Sequence, residues 1–135
     1  MALIAQAIRQ HLISQTALTD LVGARIMPAP LEKSDPLPAI TWQVVSGETF
    51  HDLSGAAGKG STTFLFLSVD ETEQAATTLG ELLRVALDQY RGTVGGESIR
   101  LVAAGDHSTN YEPPTGGRDR GRYTHRRFFT AYHSQ

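Results

Sequence analysis

The chain contains no cysteine. That excludes disulfides, thiolate nucleophiles and cysteine-ligated zinc. It has no large excess of either charge: the formal net charge is −2, so the whole molecule is no strong ligand for nucleic acid or an anionic membrane. Long hydrophobic runs are missing too. The apolar opening MALIAQAIRQHLISQ is interrupted by Gln6, Arg9, Gln10 and His11, and it reads as neither a signal peptide nor a membrane span. A soluble, cytoplasmic protein is the default expectation. Five histidines occur, but none stands at metal-ligand spacing to another. His51 and Asp52 are adjacent, and adjacent side chains on an extended chain point apart. No serine lies in a nucleophile-elbow pattern. No catalytic, metal or cofactor residue is therefore expected.

What is present suits one domain over residues 1–135. Leu3, Ile4, Ala7, Ile8 and Leu12 fall at helical spacing within residues 2–15. Thr16 is placed to cap a short second turn from Ala17 to Val22, ended by Gly23. Four prolines between Met27 and Pro38 mark an extended connector. AITWQVVSG and STTFLFLSVD have strand composition, with Trp42 expected in the core. The Gly-rich segment Gly47–Gly60 between them reads as a long loop. Asp70, with Glu73 three positions on, reads as the start of a second long helix. That helix presents Ala75, Leu79, Leu82, Leu83, Ala86, Leu87 and Tyr90 on one stripe. ESIRLVAAGD is the third strand, Asp106–Gly121 a second long loop and RYTHRRFFTAYHS the last strand.

The stretch QYRGTVGG, Gln89 to Gly96, contains three glycines within five residues. A phosphate loop would place such glycines after a strand and before a helix N-terminus. Here they follow a helix, whose carbonyl end carries the negative dipole. Gly92 is expected at the helix C′ position, with Arg91 favourable near the helix end and Gly95–Gly96 as a turn. The predicted order is α-(short α)-β-β-α-β-β. This is an α+β domain with a mainly antiparallel four-stranded sheet, two main helices on one face and two long loops.

Four segments, ALTDLVGARIMP, LPAITWQVVSGE, LDQYRGTVGGESI and YEPPTGGRDRGRYTHRRFFTAYH, resemble the tail-completion, or tail-terminator, proteins of long-tailed phages, prophages and phage-like particles. The resemblance runs from about Leu3 to His133 in the family's order. It implies a non-enzymatic structural virion protein assembled in the bacterial cytoplasm. A homo-hexameric ring would cap the tail tube protein, stop its polymerisation and join the tail to the head-side connector or stopper. DNA would pass through the lumen without specific binding, and no membrane or cofactor would be involved. A compact chain of this length has a diameter of roughly 35 Å, and six in a ring enclose a hole of similar width. A ring of this kind needs two different contact patches on each copy.

Three groups of residues bear on such contacts. Phe64 and Phe66 point to one face of their strand, Leu65, Leu67 and Val69 to the other. Both faces need burial, so a neighbouring subunit is one candidate cover for Phe64 and Phe66, and the long loops or the N-terminal connector are the other. The two loops exceed the length at which structureless loops become uncommon. They supply the candidate contacts Phe50, His51, Asp52, Leu53 and Lys59 on the first and Tyr111 on the second. Arg118, Arg120, Arg122, Arg126 and Arg127 put five of the ten arginines within ten residues. Arginine suits desolvated carboxylate pairing at an interface. The alternatives are contact with DNA phosphates, as in a nucleic-acid-binding accessory protein, and a solvated strand face.

Overall fold

The computed structural model describes residues 2–29, 36–52, 55–94, 97–113 and 121–134. The elements are α1 (Ala2–Ile13), α2 (Thr16–Val22), β1 (Ile26–Pro28), β2 (Ala39–Asp52), β3 (Gly55–Asp70), α3 (Glu73–Leu87), β4 (Arg91–Val94), β5 (Glu97–Glu112) and β6 (Arg122–Ser134). They build one curled sheet in the order β1-β2-β3-β6-β5-β4. All pairings are antiparallel except β1 with β2. The mainly antiparallel α+β reading holds, but the sheet has six strands among the described residues, not four.

The two added strands come from segments whose local composition hides them. β1 ends in Pro28 and lies at the sheet edge, where a residue without a donor is tolerated. β4 follows α3 sooner than the glycine pattern suggests. The helix stops at Leu87 because β5 competes for the next backbone groups: Asp88 Oδ1 accepts from Ala103 N at 3.0 Å, and Gln89 N donates to Leu101 O at 2.8 Å. Asp88 is the extended C-cap, and Gln89 takes the left-handed conformation at φ 64°. Gly92 is therefore a strand residue rather than the C′ glycine. Gly95 and Gly96 lie outside the described residues.

The helix starts also differ from expectation. Thr72, not Asp70, caps α3, its Oγ1 accepting from Ala75 N at 3.1 Å. Asp70 instead accepts from Glu71 N at 2.7 Å. Gln15 precedes α2 without a side-chain cap, and Thr16 is its first residue. Gly23, at φ 59°, ends α2 as expected.

The first predicted loop is strand at 47–52 and 55–60; of the second, residues 106–112 are strand and 114–120 lie outside the described residues. β2 and β3 pair through to Asp52 and Gly55, with register shifts at Val44/Ser46 and Phe50/His51. β5 and β6 pair through to Glu112 and Arg122. Past Lys59 the first hairpin has no partner in β6. The first hairpin extends past β6, and residues 106–112 meet α3 and β6 through polar side chains such as Thr109, so neither segment carries the apolar alternation that marks a strand in the sequence.

Residues opposite each other in the register share a face. Phe64, Phe66, Trp42, Phe129 and Leu101 share the face on which α3 packs. They join Ile8, Leu12, Leu79, Leu83 and Leu87 in the core. Phe66 meets Phe129 edge-on, with ring centroids 5.5 Å apart. The expectation that a neighbour covers Phe64 and Phe66 does not hold: they are 0% and 1% exposed in the single chain. On the opposite face Leu65 and Val69 are also buried, and Leu67 is half-buried.

Truncation at this centre should be costly. Phe66→Ala is expected to lose about 3–5 kcal/mol of stability, read as a lower denaturant midpoint with an unchanged transition slope.

Candidate functional site

The two hairpins leave the domain at opposite ends of the sheet. The β2–β3 arm runs past the end of β6, where Lys59 faces Ser134. Among the described residues the β5–β6 hairpin passes the end of β3 by one pair, Glu112 and Arg122, since Asp70 of β3 faces Tyr123. In the second arm Arg122 Nε donates to Glu112 Oε2 at 2.9 Å, and Thr124 Oγ1 donates to Glu112 Oε1 at 2.9 Å. Tyr111 and Tyr123 pack with centroids 5.0 Å apart. Tyr111 also lies directly over Gly121, where a Cβ would collide with its ring. The arm thus presents a tyrosine, 54% exposed, held by its neighbours.

Strand alternation divides the arginine segment. Arg122 and Arg126 share one face with Thr124, while Arg127 shares the other with Tyr123 and His125. Arg126 is exposed and Arg127 is buried. Arg127 NH2 donates to Glu81 Oε1 at 2.8 Å, and Arg84 Nε donates to Glu81 Oε2 at 3.0 Å. Arg118 and Arg120 lie outside the described residues, as does Leu53. Phe50, His51, Asp52 and Lys59 occupy positions on β2 and β3, and their side chains lie outside the description.

Beneath the first half of α3 sits a polar cluster that local sequence does not reveal. His125 Nδ1 lies 2.8 Å from Thr109 Oγ1, which lies 3.0 Å from Thr77 Oγ1. The His107 and His125 rings are 5.6 Å apart. Their approach depends on the register shift between Ala104 and His107, which no local pattern announces. Gly80 lets α3 seat on the His125 ring, since a Cβ there would enter it. His125 Nε2, Arg127 Nε and Ser68 Oγ are buried with no partner among the described residues. Among the described residues, no three His, Cys, Asp or Glu side chains gather as a metal site.

Burial, the Arg127 charge and His107 push the His125 pKa below its ordinary value of 6.5, against the opposing pull of Glu81. The neutral ring is the folded form. The hydrogen bond from Arg84, aided by the charges of Arg127, Arg84 and His107 and opposed by desolvation, holds Glu81 below its ordinary 4.5.

Two outcomes follow from this geometry. Gly80→Ala should destabilise the fold by about 1–3 kcal/mol through overpacking against His125, measurable by denaturant titration. For His125 the unfolded chain binds the extra proton, so stability rises with pH. Its contribution is complete above about pH 6.5 and is lost as pH falls through the depressed value. Thermal midpoints should drop in that window, and His125→Gln should flatten the slope there. The Glu81 contribution falls away separately, at pH below 4.5.

The family model for tail completion protein gp17 matches residues 6–124. A solved chain described as "Virion of native gene transfer agent (GTA) particle" has the same fold, with a TM-score of 0.69 at 15% identity over 98% of both chains. No curated protein matches.

Proposed function

The chain belongs to the tail completion protein gp17 family, and we propose that it is a structural protein of a phage-like virion, located in the tail at the head–tail junction. It acts as a homo-hexameric terminator, assembled in the bacterial cytoplasm, that caps the tail tube, stops its polymerisation and joins it to the head-side connector. DNA passes through its lumen without specific binding. The work is done by shape and contact, not by catalysis.

The family match across most of the chain carries this reading. The architecture supports it in two ways. Two hairpins directed to opposite ends of one sheet suit a part that must touch different partners above and below. Of the expected contact residues, Phe50, His51, Asp52 and Lys59 lie towards one end of the sheet and Tyr111, Arg122 and Arg126 towards the other. The two flanks of the sheet also differ, β1–β2 on one side and β4–β5 on the other. Unlike flanks are what a closed heterologous ring requires. Phe64, Phe66 and Arg127 are core residues of the subunit and drop out as contacts.

A nucleic-acid-binding accessory role is disfavoured by the arginine segment itself. Arg127 is neutralised by Glu81 and Arg122 by Glu112. Such pairing leaves less positive charge to release counterions from a phosphate backbone.

The reading is tested by imaging particles made without this protein. Tubes of uncontrolled length, or heads and tails that remain separate, are expected. Normal particles would end it.

A further inference from the structure

Among the described residues, the β2 edge is covered for only part of its length. β1 pairs with Ile40 to Trp42, and Ala29 N reaches Trp42 O at 2.8 Å. From Gln43 to Asp52 no strand lies on the outer side among the described residues. This open edge exposes Val44 and Val45, at 42% and 47%. An unpaired strand edge of that length, with two exposed valines on it, invites another chain unless something covers it.

The other flank carries a matching feature at the same level along the strands. One row of facing residues crosses the sheet: Arg91 on β4, Arg100 on β5, Tyr132 on β6, Ser61 on β3 and Glu48 on β2. Arg91 and Arg100 are exposed and directly opposite each other, a like-charge pair that costs stability in the isolated chain. Arg100 is steadied by Gln89 Oε1 at 3.0 Å, from a residue in the left-handed region. A like-charge pair kept on the surface is relieved where a neighbour brings carboxylates to it. Tyr132, 48% exposed beside the two arginines, completes a residue set typical of binding hot spots. β2 contains Glu48 and Asp52 and no lysine or arginine.

The geometry points to a second copy of this chain as the occupant. The β4 edge of one copy adds to the open β2 edge of the next as a parallel strand, below the position that β1 already fills. Arg91 and Arg100 then face the acidic end of β2. Parallel pairing follows from the sheet, because β2 and β4 run the same way four strands apart. Equal height of the two edges lets copies related by an axis along the strands join into a continuous β belt. The contact deepens the ring reading above and rests on it.

Because the chain has no cysteine, the contact can be trapped directly. Within one copy Glu48 and Arg91 are separated by four strand spacings, about 19 Å, too far for a disulfide. Glu48→Cys/Arg91→Cys in the full chain, oxidised on purified tube ends, should give a ladder of linked copies. Its yield should be roughly tenfold above that of Glu48→Cys/Val85→Cys, since a docked pair has a high effective concentration. A second measurement does not depend on cysteine. Arg91→Glu/Arg100→Glu and Glu48→Arg/Asp52→Arg should each lose assembly, and mixing the two variants should restore it. A cross-link yield no greater than the control, or reversal variants that assemble alone as the wild type does, overturns the contact and leaves the ring reading standing. A ladder on tubes that still elongate overturns the terminator reading and leaves the contact standing.

Discussion

The structure depends on burying one face of a long sheet under a single layer of helices. Phe64 and Phe66 on β3, Trp42 on β2 and Phe129 on β6 turn to that face together because strand side chains alternate. Leu79, Leu83 and Leu87 of α3, with Ile8 and Leu12 of α1, close over them. Three helices totalling little more than thirty positions cannot cover strands of thirteen to sixteen residues from end to end. The strands are therefore longer than the layer that covers them.

The polar cluster governs how α3 lies on the sheet. Gly80 allows close approach to His125, and Glu81 reaches Arg127 from the same turn of helix. One partner of that ion pair is buried and the other is half exposed, so its value lies mainly in satisfying a guanidinium that would otherwise be costly to bury. With α3 fixed there, its C-terminus arrives at β5. Asp88 and Gln89 bond to Ala103 and Leu101, and β4 leaves at a set height. The position of the β4 flank is therefore a consequence of the packing under α3.

The same arrangement separates tasks. The core holds the domain together and is used up within the subunit. Val44 and Val45 on the β2 edge and Arg91, Arg100 and Tyr132 on the helix-free face stay exposed in the folded subunit. An assembly part needs this division, because residues that bind neighbours must stay available after folding.

The sequence by itself determined the helical stripes, the two principal hairpins, the facing of Phe64 and Phe66, and the family. Those signals are local, read from periods of 3.6 and 2 and from ordered motifs. β1 and β4 were not legible, since three or four residues with proline or glycine become strand only when a neighbouring edge supplies partners. The hairpin ends read as loops because they carry glycine and polar residues in place of apolar alternation. The splitting of the arginine segment follows from alternation once β6 is known, but the burial of Arg127 against Glu81, 46 residues away, does not. The His107–His125 approach hangs on a register shift. Only the tertiary structure decided these, because each depends on which strand lies beside which.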